Sequence, residues 1–220
     1  MNENTPVQRR GALRRVAGLA AGVLALGAGG AWWGTRRPAI VLTRQQCTGG
    51  SMARKVLVAY ATRAGSTGEI GAAIAKQLCA EGFDAELREV SSVSSLDGYA
   101  AIVLGSAVRY GDWLPEMLAF MRAHTAALQQ RPLALFTACN KAKDTSLTAQ
   151  AEMAAYAKAA RAIVESQTHR FFAGKIDFKT LSFFEKVVVK VIGSPEGDFR
   201  DWAAIGAWAQ SLVPLFKPVA

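Results

Sequence analysis

Lys55-Val56-Leu57-Val58-Ala59-Tyr60-Ala61-Thr62-Arg63-Ala64-Gly65-Ser66-Thr67 is the stretch around which the rest of this 220-residue chain is arranged. Lys55 to Ala59 is short, apolar and valine-rich, as expected of a strand covered on both faces of a parallel sheet. Downstream, Ile70, Ile74 and Leu78 fall on one face of a helix. Between strand and helix lies a turn of Thr, Gly and Ser. Such a junction makes a cup for an anion, because unpaired backbone N–H groups and the positive end of the helix dipole converge there and hydroxyls add donors. Ser66 and Glu69 have the S-x-x-E spacing of a capping box, which predicts that together they close the helix start.

The anion can be narrowed by what is missing. No lysine follows Gly65, so the turn is not a nucleotidase P-loop, and G-x-G-x-x-G spacing is absent. A phospho-acceptor domain of the same topology needs acids at the ends of its first and third strands; here those ends read Ala61-Thr62 and Gly105-Ser106. What remains resembles the FMN-phosphate loop of flavodoxins. The family pattern Ser/Thr-x-Thr-Gly-x-Thr falls on Thr62, Arg63, Ala64, Gly65, Ser66 and Thr67, with Ala64 in place of the middle hydroxyl. The resemblance implies an FMN cofactor whose phosphate is held by Thr62, Ser66, Thr67 and backbone amides. Taken alone, the loop also suits an ordinary turn of an unliganded α/β domain.

Further strands are predicted at Asp84–Val90, Ala100–Leu104, Pro132–Ala138 and His169–Gly174, separated by helical patterns. Leu114, Leu118, Met121 and Leu128 mark one helix, a long helix is predicted from Thr145 to Glu165, and Trp202, Ile205, Trp208 and Leu212 form the buried stripe of the last, capped by Asp201. The expected fold is α/β: a flavodoxin-like, doubly wound, five-stranded parallel sheet of order 2-1-3-4-5, preceded by an N-terminal hydrophobic helix. Such sheets bind ligands at the carboxyl ends of their strands. The loop after the third strand, Gly105 through Ser106, Ala107, Val108, Arg109, Tyr110 and Gly111 to Trp113, would by the resemblance hold the isoalloxazine ring, with Tyr110 and Trp113 for stacking. Cys139 and Asn140 open the second ring loop, which carries no aromatic of its own and so leaves the outer ring face open. His124 is expected half-exposed on a helix and His169 at the start of a strand, not on a ligand.

The formal charge of +9 suggests an acidic partner until it is divided by position. Residues 1–51 carry seven arginines against Glu3, leaving only +3 on residues 52–220, so no nucleic-acid partner is expected. The chain thus reads as a leader and tether over 1–51 and a domain over 52–220 with an insert at 175–200. Val16 to Thr35 is uncharged and long enough to reach across a bilayer, and Trp32-Trp33 sits where an interfacial anchor would. Gln8-Arg9-Arg10-Gly11-Ala12-Leu13-Arg14 resembles a twin-arginine export signal, a route for proteins folded around a cofactor. The expectation is a membrane-associated, exported domain; a membrane anchor with the domain left inside is the alternative. Thr35 to Ser51 reads as a flexible tether. Cys47, Cys79 and Cys139 lie far apart without a C-x-x-C pair, which predicts neither a disulfide framework nor a metal site. The insert mixes Phe178, Phe183, Phe184 and Val187-Val188-Val189 with Lys175, Lys179, Lys186 and Lys190, and residues 178–192 are a second candidate for membrane contact.

Gly105-Ser106-Ala107-Val108-Arg109-Tyr110-Gly111, together with the insert and the Asp201-Trp202 helix after it, resembles the menaquinone-dependent protoporphyrinogen dehydrogenases of the flavodoxin superfamily over residues 54–215. The resemblance implies an FMN oxidoreductase passing electrons from an organic donor to a quinone or a redox partner protein, with no catalytic base identified. Arg109 near the ring would stabilise a reduced, anionic flavin by about 1–2 kcal/mol if partly buried. The alternative is a non-catalytic electron carrier.

Overall fold

A computed structural model describes residues 45–47, 54–191 and 195–217. The leader's apolar run at 16–35 and its arginine motif lie outside the described residues, and no described helix is long and apolar enough to cross a membrane. The described residues divide into two compact units, those of 40–177 with 196–220, and those of 178–195.

The larger unit is built on a sheet whose strands are β1 (Gln45–Gln46), β2 (Lys55–Ala61), β3 (Asp84–Glu89), β4 (Ala101–Arg109), β5 (Asp112–Trp113), β6 (Leu133–Ala138) and β7 (Thr168–Phe172). The five long strands run parallel in the order β3-β2-β4-β6-β7, which is the expected 2-1-3-4-5 arrangement. Val56 to Ala61 of β2 are all fully buried because both faces are covered. On one face, Tyr60, Ile70, Ile74, Leu87, Phe136, Ile205 and Trp208 form a core with helices α1 (Ser66–Ala80) and, late in the chain, Trp202–Ser211. On the other, Leu57, Ile102, Leu104, Trp113, Met117 and Leu135 form a second core with α2 (Pro115–Ala123).

Several local readings are corrected. Gln45–Gln46, expected as tether, pairs antiparallel with the outer edge of the sheet, Gln45 opposite Leu87. Cys47 and Cys79, expected unpaired, form a disulfide that fastens this edge strand to the end of α1; sequence spacing is blind to partners joined across a βαβ unit. Gly65, not Ser66, is the N-cap of α1, and no side chain caps it. Glu69 instead pairs with Arg200 at 2.6 Å. The predicted helix over 145–165 is broken at Ala157 into α4 (Leu147–Tyr156) and α5 (Lys158–Ile163), and the helix after the third strand is broken at His124, between α2 and α3 (Thr125–Gln129). Trp202, expected buried, is 46% exposed and lies under the Arg200 guanidinium at 4.4 Å.

In the smaller unit the described residues hold a 3-10 turn, Phe178–Thr180, and helix α6 (Phe183–Val191). Here an S-x-x-E box does form: Ser182 N donates to Glu185 Oε2 at 3.0 Å and Glu185 N to Ser182 Oγ at 3.3 Å. Phe183, Val187 and Val191 are exposed at helical spacing. The hairpin of β8 (Lys175–Ile176) and β9 (Gly197–Asp198) belongs to the larger unit. The last helices are α7 (Trp202–Ser211), capped as expected by Asp201 through Ala204 N at 2.9 Å, and α8 (Val213–Phe216).

Candidate functional site

Three loops meet because the strands that launch them are neighbours. Ala61 is in register with Ser106, and Ala107 with Ala138, so the ends of β2, β4 and β6 lie side by side. The first loop has the features of an anion cradle. Gly65 adopts φ 90°, a left-handed turn that a glycine takes without strain, and its N–H donates to Thr62 Oγ1 at 3.0 Å. Ser66 then starts an uncapped 15-residue helix. Thr67 is fully buried, and its Oγ1 has no hydrogen-bond partner among the described residues. An orphaned buried hydroxyl costs about 1–3 kcal/mol, so one placed at a helix start with unused N–H groups points to a missing acceptor. A phosphate oxygen meets that need.

Arg63 does not add charge to the cradle. Its guanidinium is bidentate on Glu116 in the first turn of α2, Nη1 at 2.5 Å and Nη2 at 2.8 Å, and so locks the loop to the next helix. Ala64 offers no side-chain donor. Gly68 and Gly71 let α1 approach the sheet: a Cβ on Gly68 would lie 2.8 Å from the Tyr60 ring, and one on Gly71 2.8 Å from Leu87 Cδ1.

The second loop is a hairpin. β4 continues through Ala107 and Val108 to Arg109, turns at Tyr110 and Gly111, and returns as β5, with Val108 opposite Trp113 and Arg109 opposite Asp112. Tyr110 at φ 54° and Gly111 at φ 84° give the two left-handed residues of a type I′ turn. For a tyrosine this conformation costs roughly 1–2 kcal/mol, and yet its side chain is 92% exposed at the tip. Its ring lies 4.9 Å from the Arg109 guanidinium, whose Nη2 donates to Tyr110 Oη at 3.2 Å. Ser106 is committed to structure: its Oγ accepts from Leu114 N at 3.0 Å and donates to Ala107 O at 2.9 Å. Trp113, expected as a stacking surface, is 2% exposed and belongs to the core.

In the third loop Cys139 is buried, which pushes its thiol up to about 11 and keeps it protonated at neutral pH. Asn140 and Ser66 come together at Gly174, where a Cβ would sit 3.6 Å from Asn140 Oδ1 and from Ser66 Oγ. The loop has no aromatic of its own, but Phe199 is brought to it, with Lys143 Nζ 4.1 Å from its ring. Sequence reasoning missed Gly174, which follows the end of β7, and Phe199 and Arg200, which follow β9.

Behind the hairpin loop runs a polar chain that the sequence did not suggest. Trp113 Nε1 donates to Thr137 Oγ1 at 2.8 Å, and Thr137 Oγ1 lies 2.8 Å from His169 Nε2. Arg161 Nε donates to His169 Nδ1 at 3.3 Å, which leaves the ring proton on Nε2. His169 is the second residue of β7, as its position at a strand start suggested. Burial, and then the Arg161 charge, hold its pKa down at about 4. The unfolded chain, with an ordinary value near 6.5, binds the proton first, so this group's contribution is complete above about pH 6.5 and is lost as the pH falls toward 4. The loss amounts to roughly 3 kcal/mol. Urea unfolding of wild type and His169→Gln from pH 7 to 4 checks it: the wild type should lose that much more stability than the variant over the window, and parallel curves would refute the assignment.

Residues 57–202 match the family model described as "Flavodoxin domain". Similar curated proteins include protoporphyrinogen IX dehydrogenase (quinone) of Escherichia coli strain K12, 23% identical over 177 residues that cover 73% of this chain and 96% of that protein. The protein of the same name from Leishmania major is 25% identical over 178 residues, covering 75% of this chain and 77% of its own length. Among solved structures, a flavodoxin from Pseudomonas aeruginosa matches with a TM-score of 0.50 at 11% identity, over 74% of this chain and 99% of that one.

Proposed function

We propose, starting from the fact that this chain belongs to the flavodoxin domain family, that it is an FMN-dependent oxidoreductase of the protoporphyrinogen dehydrogenase type, passing electrons from an organic donor to a quinone. The observation that carries the cofactor reading is Thr67 Oγ1, fully buried and unpartnered at the uncapped start of α1. Thr67, Ser66, Thr62 and the amides that follow Gly65 would hold the phosphate. The Tyr110–Gly111 tip, Asn140 and the Phe199 ring lie on the loops that would border the flavin. Bound FMN supplies reversible two-electron transfer. The protein's contribution is to grip the phosphate, to present Arg109 and Tyr110 at the exposed hairpin tip, and to keep Cys139 protonated and out of thiol chemistry.

The choice of an organic donor and a quinone acceptor draws on the two curated relatives and on an Arg109 guanidinium beside the exposed Tyr110 ring. Membrane association is part of the same proposal, through the run at 16–35 and through α6, whose Phe183, Val187 and Val191 are exposed beside Lys186 and Lys190. Export by the twin-arginine route is supported by the Cys47–Cys79 disulfide, since such bonds persist in oxidising compartments.

Thr67→Val tests the cofactor reading with two readouts of opposite sign. The isosteric methyl leaves the unliganded protein as stable as wild type or more so, since it removes an unpaired buried hydroxyl. FMN affinity should fall about 10–100-fold, the loss of one hydrogen bond to a charged group. Unchanged FMN titrations would refute the cradle. Turnover of protoporphyrinogen with a menaquinone analogue then separates the enzyme from a carrier, which would exchange electrons with a partner protein and turn over neither.

A further inference from the structure

Arg200 stands at the base of the insert, far in sequence from the cradle, and its side chain is only 4% exposed. Nη1 lies 2.6 Å from Glu69 Oε2, while Nε and Nη2 grip Asp198 at 2.7 and 2.6 Å. The plane also packs 4.4 Å from the Trp202 ring. Asp198 belongs to β9 and Trp202 to α7, so the guanidinium is held from three sides in one orientation. Glu69 is the fourth residue of α1, one turn from the amides that start the helix and two residues after the orphaned Thr67 hydroxyl. A carboxylate in this turn competes with a bound anion for the positive end of the helix dipole.

Resting on the FMN reading above, we infer that Arg200 is a positioning residue for the cofactor's phosphate: by pairing with Glu69 it draws that carboxylate's charge away from the cradle, so that the helix start can accept a dianion. With Arg200 in place the Glu69–Asp198–Arg200 trio carries one net negative charge; without it, two. The insert is thereby tied to cofactor affinity, because the residue that neutralises Glu69 is delivered by the strand closing the insert. Arg63, the cation within the loop of the cradle, is committed to Glu116.

The test is titration of the purified apoprotein with FMN and, separately, with riboflavin, which has the same ring but no phosphate. Arg200→Gln should weaken FMN binding about tenfold at low salt and leave riboflavin binding unchanged. Adding Glu69→Gln restores the trio's net charge and should recover FMN affinity, while Glu69→Gln alone should tighten it. The Arg200→Gln deficit should shrink in high salt. Arg200→Lys keeps the charge and should stay close to wild type, and with Glu69→Gln it decides the matter if Arg200→Gln does not fold. Equal losses for FMN and riboflavin, or no rescue by Glu69→Gln, overturn the charge role and leave the cofactor reading standing. A wild-type protein that binds neither flavin overturns both.

Discussion

Replacing Cys79 with serine is expected to lower the unfolding free energy by about 3–4 kcal/mol. The bond joins residues separated by 32 positions, and the closed loop contains β2 and all but the last residue of α1. Without the cross-link the unfolded chain recovers the entropy of that loop, while the folded sheet edge still holds β1 through its short pairing with β3. Urea denaturation with and without a thiol reductant provides the check. Reduced wild type should match Cys79→Ser, and the variant should not respond to reductant; coincident oxidised and reduced wild-type curves would sink the expectation. FMN affinity should not change in either case. Cys79 and Ser66 are about 20 Å apart along the helix, so the staple and the cradle occupy opposite ends of α1.

Gly105→Ala should be as damaging, from the opposite cause. Gly105 lies inside β4, between Tyr60 and Phe136 on the flanking strands. A methyl built there would lie 1.9, 2.1 and 2.5 Å from three atoms of the Phe136 ring. The ring cannot retreat: Phe136 is fully buried and packs against Phe172 and Trp208, each with its centroid 6.3 Å away. Overpacking of this kind costs about 3 kcal/mol, and the thermal midpoint should fall accordingly. Phe136→Leu placed on top of Gly105→Ala opens the space and should recover part of the loss. An additive double variant would show that the ring is not the obstacle. The glycine therefore serves packing, although it stands at the start of the loop expected to hold the ring.

These two positions show where sequence reading stops. Gly105 was visible in the chain, but its purpose depends on a phenylalanine 31 positions later, supplied by the neighbouring strand. Cys47 and Cys79 were visible too, and their spacing argued against a bond because spacing carries no information about which helix end meets which sheet edge. Ser66 and Glu69 matched a capping box that is not formed. The left-handed Gly65 starts the helix, and Glu69 answers to Arg200, 131 residues away. The same pattern at Ser182 and Glu185 does form its box, with Ser182 N donating to the Glu185 carboxylate and Glu185 N to Ser182 Oγ.

The buried parallel core and the position of the loop between β2 and α1 followed from sequence alone, because they depend on local periodicity; the strand order came with the flavodoxin resemblance, within the few topologies that the right-handed βαβ crossover allows. The tertiary structure alone decided how polar groups in the site are used: Arg63 turned to Glu116, Ser106 to Leu114, Trp113 to Thr137, and the buried Thr67 hydroxyl left without a partner among the described residues. Hydrogen bonds and ion pairs act over about 3 Å, and partners at that range are brought together by the folded sheet from anywhere in the chain.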